Sequence, residues 1–181
     1  MPEHKVFFAL QPDPPAAQQI AGLTAEARRR HGLSGKPISA ERLHVSLNFV
    51  GAFRGPPPRA LIDKARKVVE GLTGGRPFVV ALNRLESWKG DANSHPLVLT
   101  GEDGVVGVEE LYADLHKALA VAGMAPRREP QITPHVTLLY DRREAPGVFV
   151  EPVTWKVREF VLLDTVVGEG RHEVLGRWPL A

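Results

Sequence analysis

Short blocks in which apolar and polar residues alternate dominate this chain, and three times the alternation gives way to a helical period. Val6 to Leu10 form an apolar run. Asp13, followed by Pro14 and Pro15, has the N-cap and first-turn chemistry of a helix start. Ile20, Leu23 and Ala27 recur behind it at helical spacing, and Gly32 is placed to end that helix. Residues 42–50, RLHVSLNFV, alternate as a strand does. After GPPP, the positions Leu61, Ala65, Val68 and Leu72 mark a second amphipathic helix. Strands are expected over 78–88 and 96–100, with a polar loop carrying Gly90, Asn93 and Ser94 between them. A third helix fits 104–122, with Val108, Leu111, Leu115, Leu119 and Ala122 as its stripe and Gly123 after its end. Strands follow at 132–140, in one long stretch at 153–167, and at 172–178. Strands and helices mix without a regular βαβ alternation, which predicts an α+β fold with largely antiparallel sheets.

Composition narrows the class. A chain of 181 residues with 43% apolar and 24% charged residues has the size and balance of one globular domain. It contains no cysteine, so neither disulfides nor a thiolate zinc site is available, and a reducing cytoplasm is compatible with it. The apolar run near the N-terminus is too short for a signal-peptide core, and no segment approaches a membrane span. A net charge of +2 permits an anionic partner without requiring one.

The chemistry enters through an internal similarity. LHVSLNF at 43–49 and PHVTLLY at 134–140 share the skeleton x-His-Val-Ser/Thr-Leu-x-aromatic, about half the chain apart. The match suggests two lobes of related architecture, each contributing one such strand. Residues i and i+2 of a strand share a face. His44, Ser46 and Asn48 therefore fall on one side of the first strand, and Leu43, Val45, Leu47 and Phe49 on the other. In the second, Thr133, His135, Thr137 and Leu139 oppose Ile132, Pro134, Val136, Leu138 and Tyr140. Of the seven histidines, only His44 and His135 have a hydroxyl residue at i+2.

Two imidazoles and two hydroxyls suit in-line displacement at phosphorus. A neutral histidine takes a proton from the attacking water while a protonated one gives a proton to the leaving oxygen. An ordinary imidazole pKa of about 6.5 lets both states exist near neutrality. Ser46 and Thr137 are candidates to donate hydrogen bonds to the non-bridging phosphoryl oxygens. No HExxH motif, closely spaced histidine pair or cysteine points to a metal, and no cofactor is implied.

The paired motifs resemble the signature of the two-histidine phosphoesterases. The opening KVFFALQPD and the ending FVLLDTVVGEGRHEVLGRWPL narrow the resemblance to the LigT-like RNA 2′,3′-cyclic phosphodiesterases, also called 2′-5′ RNA ligases. The resemblance covers essentially the whole chain, 1–181. It implies a single bilobal α+β domain with pseudo-twofold symmetry and a central cleft. It also implies an enzyme that hydrolyses RNA or nucleotide 2′,3′-cyclic phosphate ends to 2′-phosphates without a metal, and the joining of RNA ends by a 2′-5′ bond is described for the same family; the chain is expected to be a cytoplasmic monomer. It gives His44 the role of acid and His135 that of base; the near-identical motifs do not by themselves fix that polarity.

The chain departs from the family at Tyr140, a position often occupied there by arginine. Arg142 or Arg143, or else Arg127 or Arg128, are candidates to supply the missing charge, and Phe49 and Tyr140 are candidates to contact a nucleotide. Strict alternation, however, puts both aromatics on the face away from the histidines. His31 follows three arginines at a helix end, where cations complement the dipole, so its expected role is structural. His116 is expected off the apolar stripe of its helix, His95 in a loop, and His172 at the start of the last strand, within the family-like ending. Trp88, Trp155 and Trp178 are expected to pack the core. Two other functional classes fit the same cleft: a non-catalytic RNA- or nucleotide-binding module, and a phosphoesterase for another cyclic phosphate or a 2′-5′ oligonucleotide.

Overall fold

The computed structural model describes residues 1–72 and 75–181. Strand β1 spans Glu3–Leu10 and helix α1 Pro14–His31. Asp13 caps α1 as its sequence predicts, its carboxylate accepting from the Ala16 N–H at 2.9 Å. Gly32 closes the helix in the left-handed region, with φ 62°. A 3-10 turn at Ala40–Arg42 leads to β2, Val45–Arg54, and α2 follows at Arg59–Glu70. Next come β3, Phe78–Ser87, and β4, His95–Thr100. A 3-10 turn at Asp103–Val105 then precedes α3, Val106–Val121. The chain finishes with β5 at His135–Asp141, β6 at Val148–Val157, β7 at Glu159–Val166 and β8 at Arg171–Pro179.

All eight strands form one antiparallel sheet in the order β6-β3-β4-β5-β2-β1-β7-β8, so the fold is α+β as expected. Its middle is thin. β2 meets β5 through a single pair, Val45 with Val136, whereas every other neighbouring pair of strands shares at least four. The sheet is thus two four-stranded halves joined where the two histidine motifs meet. Each motif strand ends a strand–helix–strand unit, β1-α1-β2 in one half and β4-α3-β5 in the other.

The stretch 153–167, read as one strand, is divided between the halves. Residues up to Val157 belong to β6 and pair with β3; from Glu159 the chain belongs to β7 and pairs with β1. Arg158 makes the crossing, with no glycine or proline to announce it. β5 begins at His135 rather than 132, and the 3-10 turn replaces the start of the expected third helix.

Apolar residues on one face of the sheet join the three helices in a continuous core. Val6, Phe8 and Leu10 of β1 belong to it, as do Ile20 of α1, Ala65 of α2 and Leu115 of α3. Trp155 and Trp178 are buried there as expected, Trp178 stacked on Phe160 with centroids 5.4 Å apart. Phe7 and Ala9, the alternate residues of β1, turn to the opposite face with Val161 and Leu163. No helix is long and apolar enough to cross a membrane, among the described residues.

What the single sheet pair does not supply, the helices and one loop do. α1 follows β1 yet packs on β5 and β6 of the other half, while α3 packs on β2 as well as β3. The loop after α1 is fastened to the far end of β5. Asp141 is buried, and its carboxylate accepts from the N–H groups of Ser34 at 2.7 Å, Gly35 at 2.6 Å and Arg143 at 2.8 Å. These bonds hold its pKa below the ordinary carboxylate value. Gly35 lies so close to the Tyr140 carbonyl that a β-carbon would collide with it. The Ile38 N–H then donates to the Leu138 carbonyl at 2.8 Å.

Leaving a buried donor unsatisfied costs about 1–3 kcal/mol. Asp141→Ala removes the acceptor of three part-buried donors, two of which, Ser34 and Gly35, tie the halves together, so its unfolding free energy should fall by roughly 1–2 kcal/mol, read from urea denaturation. An unchanged midpoint and slope would show that the tether carries no stability.

Candidate active site

The two motifs approach the centre of the sheet from opposite sides. His44 sits on the step between the 3-10 turn and β2, and His135 opens β5. Continuing the Val45–Val136 register one residue each way sets His44 across from Thr137 and Ser46 across from His135. The four polar side chains thereby share one face. Val45 and Val136, both fully buried, fix that orientation from the core side. A slip of one residue would bury the imidazoles instead.

Both rings are held in the same way. His44 Nδ1 is 2.8 Å from the Arg42 carbonyl, and His135 Nδ1 is 2.8 Å from the Thr133 carbonyl. A carbonyl only accepts, so Nδ1 carries the hydrogen in each ring and Nε2 is left to exchange a proton. Burial lowers both pKa values from the ordinary 6.5, partly offset by these same bonds. For His44, the charges of His135 and Arg42 lower it further.

Strict alternation fails in both strands, at the same place. Along β2, Ser46 pairs with Ala9 but Phe49 with Phe7, so three residues of β2 span two of β1. Along β5, Thr137 pairs with Val98 and Leu139 with the adjacent Leu97. Each is a bulge, which inserts one residue and flips the faces beyond it. Asn48 and Leu139 therefore turn into the protein, 4% and 1% exposed. Phe49 and Tyr140 turn out, 57% and 55% exposed, on the face of the histidines rather than away from it. Asn48 meets the opposite half, donating to the Tyr112 carbonyl of α3 at 3.2 Å. The motif is thus one local structure used twice: imidazole, hydroxyl, bulge, aromatic.

The neighbours of the two histidines differ. His172, on β8, packs its ring against His44 with centroids 5.1 Å apart, and Phe7 lies 5.2 Å from His44 on the same face. Burial, with the nearby His44 and Arg42 charges, pushes the His172 pKa down to about 4. Trp88 packs on His135 with centroids 4.4 Å apart, so this tryptophan borders the site rather than filling the core. Its indole N–H donates to Glu86 at 3.2 Å. Residue types do not reveal these two neighbours; their positions follow from strand pairing.

The candidate arginines are distributed otherwise. Arg143 reaches back to the end of α1, donating to the Gly32 carbonyl at 3.3 Å. Arg142 is exposed beside it, and Arg128 is exposed on the approach to β5. Arg127 lines a groove along α3 with His116 and Glu129, a groove that neither motif histidine lines. The guanidinium that influences His44 belongs instead to Arg42, two residues before it. His116 is buried against Tyr112, not off the apolar stripe, and His95 begins β4 rather than sitting in a loop. Among the described residues, no group of three or more His, Cys, Asp or Glu side chains is arranged to hold a metal ion.

No protein-family model matches the chain. Along 180 residues it is 27% identical to the RNA 2′,3′-cyclic phosphodiesterase of Escherichia coli K12, covering 97% of this chain and 96% of that protein. The crystal structure of E. coli LigT complexed with 3′-AMP superposes with a TM-score of 0.71 at 26% identity, over 99% of both chains. A phosphoesterase crystal structure gives 0.73 at 26% identity, covering 98% of this chain and 99% of the other. A Thermus thermophilus protein, TT0787, shares the fold at TM-score 0.75 and 20% identity, over 97% of each chain.

The low pKa of His172 has a consequence for stability. The unfolded chain binds that proton near pH 6.5, the folded one only near 4. Its contribution is complete above pH 6.5 and is lost as pH falls towards 4. His172→Phe, which keeps the ring packing, should therefore shallow the decline of unfolding free energy across that interval. A decline as steep as that of the parent protein would contradict the assignment.

Proposed function

We propose that the chain is a LigT-like two-histidine phosphoesterase and that it hydrolyses 2′,3′-cyclic phosphate ends of RNA or nucleotides to 2′-phosphates, with His44 as acid and His135 as base. The observation that carries this reading is the repeated local geometry, two imidazoles each with Nδ1 committed to a backbone carbonyl and a hydroxyl two residues on. A binding module has no need of two matched rings with their Nε2 atoms free.

In the proposed reaction, neutral His135 takes a proton from water through Nε2 as the water oxygen bonds to phosphorus. The bond from phosphorus to the 3′-oxygen breaks in line with that attack, and protonated His44 delivers its Nε2 proton to the departing oxygen. Ser46 and Thr137 donate to the non-bridging oxygens, whose charge must be stabilised as the bonds exchange. Water is consumed, a 2′-phosphomonoester forms, and the proton held by His135 returns to His44 through solvent before the next turnover. Phe49 and Tyr140 offer exposed rings on the same face for the nucleoside. Their stacking would be tolerant of base identity, since every base has a π-face. The same reading makes the protein a monomeric cytoplasmic enzyme with one domain over 1–181, in keeping with a chain free of cysteine.

Turnover of nucleoside 2′,3′-cyclic phosphates should persist in EDTA and yield the 2′-phosphate, identified by chromatography against both isomers. His44→Ala and His135→Ala should each lower the rate by on the order of 10²–10⁴-fold. Normal turnover by the double variant would sink the proposal. Because both imidazole pKa values lie below 6.5 in the free protein, kcat/KM should peak on the acid side of that value. A maximum well above pH 7 would be inconsistent with these two groups.

A further inference from the structure

We propose that Arg42 and His172 form an anion subsite beside His44 which takes the phosphodiester on the 5′ side of the terminal nucleotide, so that an oligonucleotide end is preferred over a free cyclic nucleotide. The inference rests on the reaction proposed above.

Arg42 divides its backbone and side chain between two tasks. Its carbonyl oxygen holds His44 Nδ1 at 2.8 Å, while its guanidinium extends to the β7–β8 turn. There, a β-carbon added at Gly170 would come 3.3 Å from Arg42 Nη1. The Nε atom is buried with no hydrogen-bond partner, and no carboxylate lies within ion-pair distance of the side chain among the described residues. A partly buried guanidinium ordinarily finds a carboxylate or an acceptor, because an unmade bond leaves its desolvation uncompensated.

Two more unpartnered polar atoms belong to the same neighbourhood. His172 Nδ1 is buried without a partner, and so is Oγ1 of Thr165, the residue directly across the strand pair from it. Three of the eight buried orphan atoms among the described residues thus cluster on one side of His44. Mutual proximity is also electrostatic, since the Arg42 charge disfavours protonation of both His44 and His172. With a pKa of about 4, His172 is neutral at physiological pH and presents an N–H donor without a second repelling cation.

The position of this cluster says which anion it takes. The reacting phosphate belongs between His44 and His135, at the meeting of β2 and β5. Arg42 and His172 lie on the other side of His44, towards β7 and β8. An anion held there is a second one. The nearest other phosphate on an RNA end with a cyclic 2′,3′-phosphate is the diester on the 5′ side of the same ribose. A planar guanidinium with forked donors matches the two non-bridging oxygens of such a diester.

Calorimetry separates this subsite from the chemistry. A nucleoside 2′-monophosphate and the corresponding 2′,5′-bisphosphate differ only in the group the subsite would hold. The bisphosphate should bind the parent protein about tenfold more tightly, Arg42→Gln should abolish that preference, and Arg42→Lys should keep part of it. Equal affinities in the parent protein, or an Arg42→Gln variant weakened equally for both ligands, would overturn the proposal. For turnover, the ratio of kcat/KM on a dinucleotide with a cyclic end to that on a cyclic mononucleotide should fall about tenfold in Arg42→Gln, and an unchanged ratio would count against it. A preference for the bisphosphate without any hydrolysis would retain the subsite and remove the hydrolase reading. Hydrolysis without the preference would do the reverse.

Discussion

The meeting of β2 with β5 governs this molecule. One sheet pair, Val45 with Val136, joins two four-stranded halves, and both residues are fully buried. Because antiparallel neighbours alternate faces, burying this pair forces His44, Ser46, His135 and Thr137 to the opposite side together. A longer ladder between β2 and β5 would close the centre of the sheet. With a single pair, the backbone groups of β2 and β5 on either side of it are not bonded to each other. The stability withheld from the sheet is returned by α1 and α3, each packed across the seam, and by the Asp141 carboxylate that ties the loop after α1 to β5.

Electrostatics at the seam follows from the same arrangement. Each imidazole loses solvent to the sheet and gains one carbonyl, and for both the loss is the larger effect. His44 also feels His135 and Arg42, so adding positive charge around it is progressively harder. An anion beside His44 would reverse that balance and favour the protonated ring. The two imidazoles are therefore set to gain a proton along with a bound anion. His172 and Trp88 mark where the near-twofold symmetry ends, one beside His44 and the other beside His135.

Much of this was legible in the residues. The α1 boundaries followed from Asp13 and Gly32, and the α3 stripe from Val108, Leu111, Leu115 and Leu119, because caps and helical periodicity are local signals. The motif pair was legible because it occurs twice. The split of 153–167 at Arg158 was not, since β6 and β7 run on without a turn residue and only their partners differ. The bulges at Asn48 and Leu139 also escaped, because neither carries a glycine and their cause is pairing register, not composition. Those bulges reverse the expectation for Phe49 and Tyr140. Arg42 was overlooked for a related reason: its carbonyl holds the nearby His44, but its guanidinium acts on residues distant in sequence, beside Gly170 and on the charge of His172.

The central claim is that two imidazoles divide the work of acid and base across one seam. The most direct measurement is the pH dependence of residual kcat/KM for the single variants, on a substrate with a 2′,3′-cyclic phosphate end. His135→Ala should lose the acidic limb of the bell, because no base then needs to be deprotonated. His44→Ala should lose the basic limb, because no acid then needs to keep its proton. Intact bells in both variants would contradict the account, and limbs exchanged between them would reverse the assigned polarity.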